Sequence, residues 1–455
     1  MEVILTRLVK EMIFWMAWII IPLLWEIAPA VGGAFILVKK IRERRKYVKP
    51  IIYPEITMII PVYNSAETLE ACLRSIYDSD YPNEQIEIYL VDNGSKDSSY
   101  EVFMDCQKRF DELALWWMKA EQGKSKALNM ALFNSGGKYI INVDSDGYLE
   151  KSALNKMVEK FEENLDIQCM TGSILIDPEL IEKTDDLGML LIRRCEFFEY
   201  CNAFIAGRNY ESEMESLYTM SGAYSAFRKS AILKTYMYNS VTVGEDTHVT
   251  FQLRKLFNYD IKICEDSLFF VDPIESIDKL YTQRQRWQRG EIEVSHMFLK
   301  EDLKVSSFFT NFMTRVLMYD HTFAFPRAIW YFAVIYLVFI NYPIYLVIGS
   351  MIVLYSLYSL GAFAFYLCTK AYLKEFDTLH KYFSKLWYVS VLYPLFNLGV
   401  FFIRLAGIIN SIKSDVQWKT RTLSEEVNVF KEIIQDDFER FMRILNKLRR
   451  KVNNA

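Results

Sequence analysis

Apolar runs long enough to cross a bilayer bracket a charged, strand-rich middle in this chain of 455 residues, and that arrangement limits the fold more than any motif does. A single soluble core would have no use for such runs, and an all-membrane bundle would have no room for the middle. Residues 12–38, interrupted by Glu26 and Pro29, give about 27 residues at ~1.5 Å of helix rise each, more than the ~30 Å of hydrocarbon to be crossed. No basic segment precedes the run and no small-residue cleavage site follows, so it reads as an anchor rather than a leader. Lys39, Lys40, Arg42, Arg44, Arg45, Lys46 and Lys49 follow it against Glu43, whereas Arg7 and Lys10 before it are offset by Glu2 and Glu11. The positive-inside rule then places the middle of the chain in the cytoplasm.

Composition agrees with a globular domain plus a few spans: 52% hydrophobic residues are too many for a soluble protein of this aromatic content and too few for a membrane bundle. The net charge of −4 excludes a nucleic-acid binder, whose phosphate contacts need a basic excess. Seven cysteines without a CxxC pair or metal-ligand spacing predict buried thiols in a reducing compartment, with no disulfide and no zinc. The chain divides into an anchor with its basic flank (1–49), an α/β domain (50–300), an interfacial helix with transmembrane helices (301–410) and a charged amphipathic tail (411–455).

The 50–300 segment alternates short β-rich runs with helical patterns, the signature of an α/β domain with a largely parallel sheet. Residues 57–60 read as the first strand, ended by Pro61, and Leu69, Cys72, Leu73 and Ile76 share one face of a helix over 66–77. Strands follow at 86–91 and 139–143, with a helix at 124–132 between them. The first of these strands delivers the turn Asp92-Asn93-Gly94-Ser95 and the second delivers Asp144-Ser145-Asp146, both at carboxyl ends, where sheets of this class bind ligands.

Beyond residue 300 the pattern predicts an amphipathic surface helix at 308–325, a transmembrane hairpin of 329–340 and 344–367 about Asn341-Tyr342-Pro343, and a third apolar run at 386–409. A helix with Val427, Phe430, Ile434, Phe438, Phe441, Leu445 and Leu448 on one face closes the chain. Three crossings after a cytoplasmic domain would put the tail outside, against the basic Lys413, Lys419 and Arg421. One segment is therefore re-entrant or interfacial, and Pro394 makes 386–409 the weakest span.

Each polar cluster has a chemical reading and a bland one. Two carboxylates, Asp144 and Asp146, can hold a divalent cation by hard oxygen ligands, although a D-x-D also suits a surface turn. Asp92 can meet a nucleobase and ribose, or close an Asx turn. Gln122-Gly123-Lys124-Ser125-Lys126 puts two ammonium groups at a helix start, a phosphate cradle or a solvated pair. Gly244-Glu245-Asp246 offers a carboxylate that can take a proton from an attacking hydroxyl, or an acidic pair at a helix N-terminus. His248 fits a packing role, since four histidines without spacing make no metal site. In Gln283-Arg284-Gln285-Arg286-Trp287-Gln288-Arg289-Gly290, several guanidinium groups suit a pyrophosphate and the indole suits a sugar face, or the same residues form a membrane-interface belt.

In this order and at these separations, the elements resemble the membrane-bound processive family-2 glycosyltransferases, the group that holds the cellulose, hyaluronan and poly-N-acetylglucosamine synthases. The likeness covers nearly the whole chain: the amino-terminal span, a GT-A-like domain opening with Ile59-Ile60-Pro61-Val62-Tyr63-Asn64, and the carboxyl-terminal spans. The family's three aspartate positions match Asp92, Asp144 with Asp146, and Asp246, and its Q-x-x-R-W pentad matches Gln283, Arg286 and Trp287. Gln122-Gly123-Lys124 to Ala127-Leu128-Asn129 resembles its G-K-x-x-A-L-N box, and Met220-Ser221-Gly222-Ala223 to Phe227-Arg228 its acceptor-side segment. More narrowly, residues 90–97 and 281–291 resemble glycosyltransferases associated with the Gram-positive exosortase G system.

The resemblance implies a multi-pass protein of the cell membrane with a cytoplasmic GT-A nucleotide-diphospho-sugar transferase domain. It would make a Mg²⁺- or Mn²⁺-dependent, inverting transfer from a UDP-sugar to a glycan or lipid-linked acceptor. Asp92 and Lys124 would contact the nucleotide, Asp144 and Asp146 the metal, and Asp246 would be the general base. Gln283, Arg286 and Trp287 would hold the pyrophosphate and the acceptor sugar. Two positions depart from the pattern: Asn93 stands where related transferases carry a second acidic residue, and Gly244 stands where threonine is usual. Two other readings stay open, a transferase adding one sugar to a polyprenyl phosphate and an idle scaffold of a secretion assembly. Carboxylates at all three aspartate positions count against the scaffold. No residue identifies a partner membrane protein.

Overall fold

The computed structural model describes residues 28–43, 53–299, 324–413 and 422–428, together with Thr314 and Leu317. Eight strands form one sheet: β1 (Ile56–Val62), β2 (Ile86–Asp92), β3 (Ala114–Lys119), β4 (Tyr139–Val143), β5 (Gly147–Leu149), β6 (Cys169–Ile176), β7 (Tyr224–Arg228) and β8 (Ile261–Val271). Their order is β3-β2-β1-β4-β7-β6-β8-β5. The first four run parallel. Beyond them the sheet is mixed, because β7 is antiparallel to both β4 and β6 while β6 and β8 are parallel and β5 runs against β8. The largely parallel sheet of the sequence pattern therefore describes one half.

Every residue of β1, β4 and β6 is buried, as expected for strands covered on both faces. Pro61 does not end β1. It pairs in register with Val91 of β2, and β4 leaves β1 after Ile59, so the N–H that proline lacks is missing beyond that pairing. The chain steps outward from β1 to β3 and then returns to the other side of β1 as β4. At that reversal the carboxyl ends of neighbouring strands splay open, which is where sheets of this kind form their ligand crevice.

The Leu69–Tyr77 helix buries Leu69, Cys72, Leu73 and Ile76 on one face of the sheet, as their spacing predicts. The Lys124–Asn134 and Glu245–Phe257 helices cover the other face through Ala127, Leu128, Leu132, Val249 and Leu253. The first core runs on through Phe197 and Phe198 of the Leu187–Tyr200 helix into Tyr366, Tyr372, Phe383 and Val389, and Phe198 stacks on Phe383 at 5.6 Å. Domain and C-terminal helices thus share one apolar interior. The cysteines are all unbonded, and all but the half-buried Cys368 are buried, matching the expected thiols.

Those C-terminal helices are Ala324–Phe339, Ile344–Tyr372, Asp377–Ser384 and Val389–Lys413. The first two meet at a turn where Asn341 takes φ 57°. Among the described residues two segments, Ile344–Glu375 and Val389–Asn410, are helical, long and apolar enough to cross a membrane. Pro394 does not break the second: it lies near the start of the Val389–Lys413 helix, where few backbone bonds depend on it. Of the other expected elements, 308–325 falls outside the described residues except for Thr314, Leu317 and the beginning of the Ala324–Phe339 helix. Residues 12–27 of the anchor and the tail beyond Asn428 also lie outside them. The Ala28–Glu43 helix is described, and its basic end docks on the domain, Lys39 with Glu213 at 3.0 Å and Lys40 with Glu265 at 3.1 Å.

Candidate active site

Asp92 ends β2, and its Oδ1 accepts the Ser95 amide, three residues on, at 2.8 Å, which closes the turn with Gly94 at φ 87°. The helix that follows is held by Asp97 instead, which accepts the Ser99 amide at 3.2 Å. Asn93, where an acidic residue is usual, is buried and accepts the Gly123 amide at 2.6 Å. This amide latches the end of β2 to the start of the Lys124–Asn134 helix. Gly123 holds φ 135°, a conformation that glycine adopts at little cost.

The two lysines of that helix start part ways. Lys126 pairs outward with Glu121 at 2.7 Å. Lys124 turns into the crevice, its Nζ 2.5 Å from Asp144 Oδ1 and 3.3 Å from the carbonyl of Gly222. Burial works against its charge, but the carboxylates of Asp144, Glu245 and Asp246 more than offset that and hold Lys124 above the usual lysine range.

Asp144 follows β4 and is half-buried, while Asp146 keeps an exposed face although protein surrounds its carboxyl. Burial first, and then the neighbouring Asp144 carboxylate, push the Asp146 carboxyl up to about 6. Two crowded carboxylates with hard oxygen donors fit a Mg²⁺ or Mn²⁺ ion, which would relieve their repulsion. Among the described residues no cluster of three or more His, Cys, Asp or Glu side chains adds to the pair.

Asp246 is the second residue of the Glu245–Phe257 helix, whose N-terminal dipole favours a carboxylate. Its Oδ2 accepts the Gly222 amide at 3.0 Å and its Oδ1 accepts the Thr247 amide at 2.7 Å. Gly222 thereby links the two sides of the site, its carbonyl to Lys124 and its amide to Asp246. A side chain there would crowd the Asp246 carboxylate at 3.1 Å. The sequence signalled this stretch only through its resemblance to the family's acceptor-side segment. Glu245, beside Asp246, is pushed well up by burial and by the Asp246 charge. His248 is a packing residue, set between Asn239 and Gln252 and edge-on to Phe298.

The Ile277–Leu299 helix carries Gln283 to Gly290, and its three guanidinium groups have different partners. Arg284 is buried, pairs with Glu199 at 2.6 Å and lies 4.6 Å from the Trp287 ring centre. Arg289 is buried and pairs with Glu293 at 2.8 Å. Arg286 is exposed, and its charge reaches Glu245. Of the several guanidinium groups expected to face a pyrophosphate, then, two are paired within the protein and Arg286 is exposed. Trp287 keeps 43% of its surface exposed, with Arg284 supporting its ring and Tyr200 at 6.4 Å. Gln283 has a buried carbonyl oxygen without a hydrogen-bond partner. Glu199, which takes up Arg284 from another helix, carried no sequence signal, whereas Glu293 stands at the i,i+4 spacing from Arg289 that pairs side chains along a helix.

Residues 57–234 match the family described as glycosyl transferase family 2. This stretch is a family-2 glycosyltransferase domain. The glycosyltransferase match stops at 234, short of Asp246 and of the Gln283–Trp287 helix. A poly-beta-1,6-N-acetyl-D-glucosamine synthase of Staphylococcus epidermidis is 28% identical over 239 residues, 52% of this chain and 55% of that protein. One of Staphylococcus aureus strain COL is 26% identical over the same length. The chain spans about half the length of the curated relatives it matches. Among solved structures, the mannosyltransferase PcManGT from Pyrobaculum calidifontis, in complex with GDP-Man and Mn2+, is similar with a TM-score of 0.55 at 15% identity. The likeness covers 85% of this chain and 98% of that one, and it is a likeness of fold. The glycosyltransferase domain is thus GT-A-like, with two apolar helices after it.

Proposed function

We propose that this chain is a membrane-embedded, inverting glycosyltransferase that moves a hexosyl or N-acetylhexosaminyl group from a UDP-sugar to a growing glycan. The observation that carries the reading is the Lys124–Gly222 bridge. It puts the Asp144 carboxylate and the Asp246 carboxylate at the two ends of one hydrogen-bonded chain, which gives one side to a diphosphate and the other to an attacking hydroxyl. The Asp92 turn and Lys124 hold the nucleotide. Asp144 and Asp146 would hold Mg²⁺ or Mn²⁺, which supplies Lewis-acid stabilisation of the charge on the departing diphosphate.

Asp246, fixed by two backbone amides, takes the proton from the acceptor hydroxyl as it attacks the anomeric carbon from the face opposite the diphosphate. Arg286 meets the diphosphate from the helix side. Trp287, a flat exposed ring held by Arg284, takes the acceptor's terminal sugar. The names of the Staphylococcus relatives make UDP-N-acetylglucosamine the first donor to try, and the likeness to exosortase G-associated transferases makes a glycan exported at the cell membrane the product class.

The test offers purified membranes a panel of UDP-sugars with Mg²⁺ or Mn²⁺ and measures UDP release and product size. A cation-dependent release with a ladder of long products is expected. A single sugar on a lipid would replace the polymer reading with the lipid-acceptor one, and no release from any donor would overturn both.

A further inference from the structure

Two glycines far apart in sequence lie backbone to backbone behind the catalytic carboxylate. Gly244 precedes the Glu245–Phe257 helix and Gly290 lies inside the Ile277–Leu299 helix, and both are buried. A Cβ on Gly244 would stand 3.0 Å from the Gly290 Cα and carbonyl carbon, and a Cβ on Gly290 would stand 2.9 Å from the Gly244 Cα. The clashing atoms are backbone on both sides, so no rotamer change relieves them. A glycine inside a helix costs roughly 1 kcal/mol against alanine, which calls for a reason, and the close approach supplies one.

A second contact holds the same two elements together. The Glu293 carboxylate, one turn beyond Gly290, accepts from Thr242 Oγ1 at 3.1 Å and from the Val243 amide at 3.4 Å, while Arg289 steadies it from its own helix. Thr242 Oγ1 in turn accepts the Gly244 amide at 3.1 Å. The loop that launches Glu245 and Asp246 is therefore clamped to the helix that carries Arg286 and Trp287.

We propose that Gly244 and Gly290, with the Thr242–Glu293 clamp, are positioning residues that set the distance between the Asp246 carboxylate and the Arg286–Trp287 surface. The inference rests on the function proposed above for those residues. It also accounts for Gly244 standing where threonine is usual: a side chain there would push the helix start off Gly290. Displacing a base by about 1 Å is enough to cost on the order of 10²-fold in rate.

Two variants test it, Gly290→Ala, which forces the elements apart, and Thr242→Val, which loosens the clamp without adding bulk. Each is measured for sugar transfer, for UDP binding in the presence of Mg²⁺, and for hydrogen exchange at the Gly222 amide, which reports whether Asp246 keeps its place. Gly290→Ala should cut transfer about 100-fold and Thr242→Val by a smaller factor. In both, UDP affinity should stay within about 2-fold while protection at Gly222 is lost, since the bond it reports is the one that moves. Transfer at the wild-type rate in Gly290→Ala, or transfer lost with Gly222 still protected, overturns the positioning role. UDP binding lost together with transfer in both variants also overturns it, because the contact would then support the whole domain. Wild-type protein that transfers no sugar, with Gly222 protection still lost in the variants, counts against the functional reading and supports the contact.

Discussion

The side chains with the least freedom are those whose loss should be most legible. Asp246 accepts two backbone amides, so an asparagine keeps its shape and loses the base. Asp246→Asn should bind donor with near-normal affinity and transfer sugar roughly 10²-fold or more slowly. Equal rates at saturating donor with weakened affinity would make it a binding group instead. Asp146→Asn removes one of the two carboxylates offered to the cation. Turnover should vanish while membrane insertion continues as normal, and wild-type activity in EDTA would defeat the assignment. What the sequence conveyed at this scale was residue identity at strand ends, because a strand's end is marked by the turn that follows it. It could not convey that Arg284 is taken up by Glu199, 85 residues away, whereas the Arg289–Glu293 pair lies at i,i+4 on one helix and was open to sequence reading. The same holds for Asn93: a one-residue departure from a motif turned out to be a latch to Gly123 that only the folded loops define.

Between elements, the docking of the Ala28–Glu43 helix offers a pH-dependent test. Glu265 of β8 is mostly covered, and although desolvation alone would raise its carboxyl, Lys160 and Lys40 pull it down to about 2. A carboxyl depressed from about 4.5 contributes stability that is fully present above its unfolded value and is lost as pH falls through the folded one. The shift corresponds to about 3 kcal/mol as an upper figure, at ~1.4 kcal/mol per unit. Glu265→Gln should therefore lower the unfolding temperature at pH 7, and the gap to wild type should narrow between pH 5 and pH 3. A gap that does not change with pH would mean the ion pairs with Lys40 and Lys160 add nothing. Lys40 was read from sequence only as a topology signal. Its pairing with Glu265 depends on β8, more than two hundred residues away, and periodicity along the chain carries no such information. Amphipathic helices such as Leu69–Tyr77 were legible because their pattern is local, whereas β1 continued through Pro61 because strand pairing, set elsewhere, tolerated it.

For the whole molecule, the position of the Val389–Lys413 helix bears on the count of crossings. Its start touches the domain, where Val389 is buried in the core and Tyr393 lies 5.0 Å from Phe198. Its end touches the domain again: Arg404 donates to Gln288 at 2.7 Å, Gly407 lies against Gln285, and Asn410 donates to Gln285 at 3.4 Å. About 25 residues of helix span roughly 37 Å, so a helix perpendicular to the membrane could not meet a cytoplasmic domain at both ends. The opposite face exposes Val391, Leu395, Phe402 and Ile409, an apolar strip suited to lying in the membrane surface. The Ile344–Tyr372 helix, by contrast, brings only its far end to the domain, where Tyr372 donates to Asp266 at 2.5 Å. We therefore expect the anchor and the two arms about Asn341 to cross and Val389–Lys413 to lie flat, which returns the tail to the side of its basic Lys413, Lys419 and Arg421. A reporter after Lys49 should read cytoplasmic, one at Asn341 external, and one after Ala455 cytoplasmic. An external reading at Ala455 would mean that Val389–Lys413 crosses the membrane, and that its contacts at one end do not survive in the bilayer.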